Sequence, residues 1–286
     1  MTDDRKPMTV GQEIAHLEEK YAMNAAIVRR RPRSMQPHEK IIFALDVDNS
    51  LAAHAFAERL SPHVGMFKVG LELFIKAGPS IIREIGAPVM LDLKLHDIPE
   101  TVTRATRVVA DLGVWAPRFL TMHVQQRETM RRAVAVTEGT RTQLLGVTVL
   151  TSMEVRDLMD LRQAATDPSS SLVSYQPSDR VLDLALLAVS EKVPGLVCSP
   201  QEVRVLRKAF SEALLVVPGI RPSGSSQDDQ KRAGTPRQAI LDGASYLVVG
   251  RPIRDAADPV LAAKAIAEEI GAAQQELALK QQTETD

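Results

Sequence analysis

From Ile41 onward, short aliphatic and β-branched runs alternate with longer stretches whose apolar residues recur at helical spacing. The strand candidates are residues 41–45, 66–69, 89–93, 119–123, 144–150, 196–198, 214–217 and 246–249. Each is followed by a segment compatible with a helix. Eight βα units in 286 residues predict an α/β fold, a (β/α)8 TIM barrel forming one domain over 41–272. An open doubly wound sheet is the alternative. Its glycine-rich first turn is missing, because the first strand runs straight into Asp46-Val47-Asp48-Asn49.

Two regions fall outside this alternation. Residues 1–40 read as an N-terminal extension with an amphipathic helix over roughly 10–28, followed by Arg29-Arg30-Arg31-Pro32-Arg33. That arginine run is short and has no aromatic company, so a solvated helix end explains it better than a recognition patch. Residues 163–179 are polar, with Asp167-Pro168-Ser169 and Gln176-Pro177-Ser178, and predict a loop between helices. The tail over 273–286 is expected to fray from about Gln274.

Composition narrows the classes. Lys and Arg total 35 against 36 Asp and Glu, a net charge of −1, which gives no reason to expect a nucleic-acid or membrane partner. The single Cys198 sits in an apolar run and reads as a core thiol. No apolar run approaches the roughly 20 residues of a membrane span, and Met1-Thr2-Asp3-Asp4-Arg5-Lys6 lacks a signal-peptide core. A cytoplasmic protein is the expectation.

Charge breaks the apolar pattern most sharply in Leu91-Asp92-Leu93-Lys94-Leu95-His96-Asp97-Ile98-Pro99. Residues two apart on a strand share a face, so Asp92 and Lys94 should project together, with Asp97 just beyond. Half-buried charges are costly unless paired. With Lys68, the three could hold a charged lysine beside two carboxylates, ready to donate a proton. A structural ion-pair network has the same composition, and both readings stay open.

Barrel enzymes carry their chemistry at the C-terminal ends of the strands. Those positions hold Asp46, Asp48 and Asn49 after the first strand, Lys68 on the second, and His123 on the fourth. Thr151 and Ser152 follow the fifth, Pro218-Gly219-Ile220-Arg221 the seventh, and Gly250-Arg251-Pro252 the eighth. Glycines and arginines after the last two strands favour a phosphate site. The polar run from Ser223 to Gln230 suits a closing lid. The six histidines lie in dissimilar surroundings, and neither a Ser-His-Asp context nor a Cys/His metal spacing occurs.

Together these residues resemble the orotidine 5′-phosphate decarboxylase family over roughly 41–270. The most specific match is Asp92-Leu93-Lys94-Leu95-His96-Asp97-Ile98-Pro99. Ala44-Leu45-Asp46, Phe67-Lys68-Val69-Gly70, Leu150-Thr151-Ser152, Pro218-Gly219-Ile220-Arg221, Asp229-Gln230-Lys231-Arg232 and Val249-Gly250-Arg251-Pro252-Ile253 support it. The resemblance implies decarboxylation of orotidine 5′-phosphate to UMP without metal or organic cofactor. It implies that Asp46 and Lys68 contact ribose, that Asp92 faces the substrate carboxylate, and that Lys94 delivers a proton to C6. Ser152 would meet the pyrimidine with Thr151 beside it, while Arg221, Gln230, Gly250 and Arg251 would close on the phosphate. Asp97 and Thr101 would reach into the neighbouring subunit's site, making the active unit a homodimer.

Three features depart from the family pattern. Glu100 stands where bacterial members commonly carry Asn, and Val124-Gln125-Gln126 replaces the small residues usual after the fourth strand. The extension before Ile41 and the 163–179 loop add length. Two rival readings suit the same scaffold: a metal-dependent sugar-phosphate decarboxylase or aldolase on the same barrel, and a non-catalytic nucleotide-binding barrel. The His96-Asp97-Ile98-Pro99 continuation and Gln230 speak against the first, and the intact set of four charged residues against the second.

Overall fold

A computed structural model describes residues 35–153, 156–157, 177–222 and 233–283. The proposed helix over 10–28, the arginine run, most of the 163–179 loop and the lid with Gln230 lie outside the described residues. The strands are β1 (Ile41–Ala44), β2 (Met66–Gly70), β3 (Val89–Leu95), β4 (Phe119–His123), β5 (Gln143–Val147), β6 (Gly195–Val197), β7 (Leu214–Val217) and β8 (Tyr246–Val249). All pair in parallel with their sequence neighbours, and β8 closes on β1. The predicted (β/α)8 barrel is the fold found.

Helices fill the connections. They are α1 (Ser50–Leu60), α2 (Leu71–Ala77), α3 (Ser80–Glu84), α4 (Pro99–Ala110) and α5 (Arg127–Thr137) in the first half. The second half has α6 (Pro177–Ser190), α7 (Val203–Ala209), α8 (Pro236–Leu241), α9 (Arg251–Arg254) and α10 (Pro259–Thr283). Pro99 at the first position of α4 starts that helix without sacrificing a hydrogen bond, and Val102, Thr106 and Val109 give it a buried face.

Strand alternation builds two separate cores. Ile41, Phe43, Phe67, Leu91, Leu120, Leu144 and Leu247 point outward against the helices. Ile42, Ala44, Met66, Met90, Phe119, Leu145, Val216, Tyr246 and Val248 point inward and fill the barrel. Both faces are buried, which explains why the strands read as continuous apolar runs rather than alternating ones.

Five strands differ from the predicted bounds, and two of them, β5 and β3, end more than one residue from the predicted end. β5 stops at Val147 rather than Leu150, because Thr148 turns to the neighbouring strand and its Oγ1 donates to the Val197 carbonyl. β3 continues past Leu93 to Leu95, carried by an irregularity between Leu91 and Leu95.

The C-terminal region corrects a further expectation. Instead of fraying from Gln274, α10 runs to Thr283. Ala273 is buried, Gln274 Nε2 donates to the Met35 carbonyl, and Glu276 pairs with Arg237 and Lys280. A short 3-10 turn at Pro37–Lys40 packs on this helix and leads into β1.

Candidate active site

The inward-facing rows change character toward the C-terminal mouth. Above Ala44 comes Asp46, above Met66 comes Lys68, above Met90 come Asp92 and Lys94, and above Phe119 come Thr121 and His123. The period of two that fills the barrel with aliphatic side chains thus delivers charge to its open end. Four strands contribute to one cluster.

Lys94 Nζ donates to both Asp92 carboxylate oxygens at 2.9 Å. Lys68 Nζ donates to Asp46 Oδ1 at 2.9 Å and stands 3.8 Å from Asp92 Oδ2. The cations and anions therefore alternate as Asp46, Lys68, Asp92, Lys94. Gly70 gives this chain room, since a Cβ there would lie 3.2 Å from Lys68 Nζ and press the ammonium aside by a few tenths of an ångström. Burial pushes the Asp92 carboxyl upward, but the charges of Lys68 and Lys94, with hydrogen bonds from Lys94 and Thr121, hold it below the usual carboxylate range. Asp92 is thus ionised although its side chain is only 11% exposed, while Lys94 at 31% faces the cavity.

The same cavity is lined by Thr151 after β5, Arg221 after β7, and Gly250 and Arg251 after β8. Gly219 adopts a φ of 81°, a left-handed turn that favours glycine and brings the chain back toward the mouth. Arg254 ties the segment after β8 to that after β1, donating from Nη1 to the Asp46 carbonyl at 3.0 Å.

The family model described as Orotidine 5′-phosphate decarboxylase / HUMPS family matches residues 39–266. A protein named orotidine 5′-phosphate decarboxylase from Anaeromyxobacter dehalogenans is 45% identical over 237 residues, covering 82% of this chain and 99% of that relative. The chain belongs to the orotidine 5′-phosphate decarboxylase / HUMPS family. A Nitrosococcus oceani protein of the same name is 44% identical and covers 81% of this chain and 97% of its own length. The crystal structure of orotidine 5′-phosphate decarboxylase from Lactobacillus acidophilus aligns with a TM-score of 0.65 at 33% identity, covering 80% of this chain and 98% of that one.

Seen as a decarboxylase-family barrel, the chain brings Asp46, Lys68, Asp92, Lys94, Thr151, Arg221, Gly250 and Arg251 together around one cavity. Asp97 does not join them. Its exposed carboxylate caps its own turn, accepting from the Ile98 N–H at 2.7 Å, in a neighbouring groove with His96, His123 and Gln126. The expectation of two carboxylates beside one lysine therefore holds within the chain only with Asp46 as the second acid. Thr101 is exposed on α4, on the same outer side. Ser152 is exposed in the turn beside Thr151 and does not line the cavity.

Asp48 and Asn49 serve the next helix rather than the site. Asn49 caps α1 by accepting from the Ala52 N–H, and its amide donates to Asp48. Two of the departures from the decarboxylase pattern have structural partners. Glu100 bridges Arg104 and Arg132, tying α4 to α5, while Val124 is buried against Gly146 and Gln126 accepts from Thr129. His123 lies against His96 in a tilted contact, with ring centroids 5.2 Å apart. Burial first, then the charges of His96 and Lys94, hold the His123 imidazole below its usual value. Thr121 and Arg254 were not among the sequence candidates, although both bond directly to the charged cluster or its backbone.

Proposed function

We infer that this chain is a carboxy-lyase that converts orotidine 5′-phosphate to UMP, the decarboxylation that completes de novo pyrimidine nucleotide synthesis. The observation that carries this reading is Lys94 Nζ, held 2.9 Å from an ionised Asp92 and facing the cavity. The C6–carboxylate bond breaks, CO2 leaves, and the electron pair stays on C6 as a vinylic carbanion. The Lys94 ammonium stabilises that charge and then transfers its proton to C6, regaining one from solvent. Asp92 faces the departing carboxylate, and Lys68 keeps Asp92 ionised. Asp46 and Lys68 take the ribose hydroxyls, Thr151 the pyrimidine edge, and Arg221, Gln230, Gly250 and Arg251 the phosphate, while Ser152, outside the cavity, drops from the expected ring contacts. Binding energy from the distant phosphate helps to organise the reacting end.

The chemistry requires no metal or organic cofactor. Lys94 already takes both carboxylate oxygens of Asp92, and Lys68 takes Oδ1 of Asp46, which a divalent ion would have to displace. That occupancy favours the decarboxylase over a metal-dependent sugar-phosphate enzyme. An absorbance assay with orotidylate, with and without chelator, tests the reading. Turnover should persist in chelator, and Lys94→Ala should lower it by at least about 1,000-fold while the fold remains. Near-normal activity in that variant overturns the assignment.

The reading also makes the working unit a homodimer in the cytoplasm, with Asp97 and Thr101 completing the partner's site. Exposure of Asp97, Ile98 and Thr101 on one side of the mouth supports this. Mixing inactive Lys94→Ala and Asp97→Ala proteins under subunit exchange should restore about a quarter of normal activity, since each mixed dimer regains one complete site. No recovery would place Asp97 outside the shared site.

A further inference from the structure

Thr121 lies at the centre of an unusual pairing. On β3, Leu91 pairs with Leu120 and Leu95 pairs with Met122. Asp92, Leu93 and Lys94 therefore stand opposite Thr121 alone. The Lys94 backbone N–H donates to Thr121 Oγ1 at 2.9 Å, and that hydroxyl donates to Asp92 Oδ1 at 2.9 Å. Thr121 is fully buried. Lys94 itself adopts a φ of 49°, a left-handed conformation that L side chains disfavour.

A hydroxyl has one proton and two lone pairs. Once the Lys94 N–H points at a lone pair, the proton is left for Asp92, so both bonds form only in one orientation. We propose that Thr121 is the positioning residue of this active site: it clamps the backbone of Lys94 in its left-handed bulge and fixes the carboxylate of Asp92, so that the Lys94 ammonium is aimed at C6. This rests on the decarboxylase reading and adds a group that never touches substrate. Without the hydroxyl, the Lys94 N–H and Asp92 Oδ1 lose their shared partner. The backbone then relaxes toward the extended conformation of the rest of β3, and the ammonium leaves its line. Misplacement by about 1 Å can cost on the order of 100-fold in rate.

Thr121→Val removes the hydroxyl at nearly constant volume, and Thr121→Ser keeps it. In Thr121→Val, kcat for orotidylate should fall about 30- to 100-fold while KM and UMP affinity change less than about threefold, because the phosphate is held on β7 and β8. Thr121→Ser should recover kcat to within about threefold of wild type. If Thr121→Val does not fold, Thr121→Ala carries the same kcat-against-KM test. A wild-type kcat in the hydroxyl-free variant overturns the proposal. So does a parallel loss of UMP affinity and activity that serine fails to rescue. Absence of orotidylate turnover in the wild-type protein would instead sink the underlying reading, which keeps the two failures apart.

Discussion

Two carboxylates in this barrel are buried against a pair of cations, and they make opposite use of them. Glu191, in the turn after α6, accepts from Arg127 Nη1 at 3.1 Å and Arg131 Nε at 2.9 Å. Asp92 accepts from Lys94 and lies beside Lys68. Each acid is pushed up by burial, and each ends below its usual range because its cations and hydrogen bonds outweigh that push. The difference is in the cations and their setting. Around Glu191 they are arginines, 60% and 67% exposed, fastening α5 to the turn beyond α6 on the outside of the barrel. Around Asp92 they are lysines on inward-facing rows, one of them on strained backbone at a cavity. A guanidinium does not surrender its proton in a protein, whereas an ammonium can. Paired burial is common to structure and chemistry, and the transferable proton distinguishes them.

The sharpest way to break this contrast is Lys94→Arg, which keeps the charge and removes the transferable proton. Its turnover of orotidylate should fall at least about 1,000-fold, nearly as far as with alanine. A variant retaining a tenth of wild-type kcat would reduce the lysine to an electrostatic role and dissolve the distinction. Next in size, Arg251→Ala should weaken UMP binding about 10- to 100-fold, while Arg131→Ala leaves UMP affinity unchanged. Equal effects on binding would mean that position at the mouth does not matter.

The smallest effect belongs to Glu191. Glu191→Ala should cost about 1–2 kcal/mol of stability and leave kcat unchanged, because it removes an anion whose partners are open to water. Its pH dependence has a definite sign. The folded carboxyl titrates below its usual value of 4.5, so its contribution is complete above that value and is lost as pH falls through the depressed one. Denaturation curves of the variant should therefore start lower at pH 7 and decline less steeply below about pH 4.5. An unchanged acid slope would remove Glu191 from the structural side of the comparison.

The barrel was legible in the sequence because strands buried on both faces leave short continuous aliphatic runs, and eight of these alternate with longer stretches of helical spacing. Asp46, Lys68, Asp92 and Lys94 were legible for the converse reason, as charges interrupting those runs. Thr121 escaped because threonine is at home in any strand, so a hydroxyl that positions other groups looks like packing. Asp48 and Asn49 misled in the other direction: polar residues after a strand serve the next helix start as readily as a site. Asp97 follows Lys94 by only three residues, yet the turn into α4 carries it out of the cavity, a consequence of direction that spacing alone does not reveal.

The bulge of β3 has a consequence in parity. Between matched pairs, β3 spends four steps from Leu91 to Leu95 where β4 spends two from Leu120 to Met122. The surplus is even, so the pleat returns in phase: Leu91, Leu93 and Leu95 all pack outward, while Asp92 and Lys94 keep to the lumen. An odd surplus would have sent every later side chain to the wrong face, putting leucine in the mouth and lysine among the helices. The strand thus gains length where it meets the substrate without exchanging its inside for its outside.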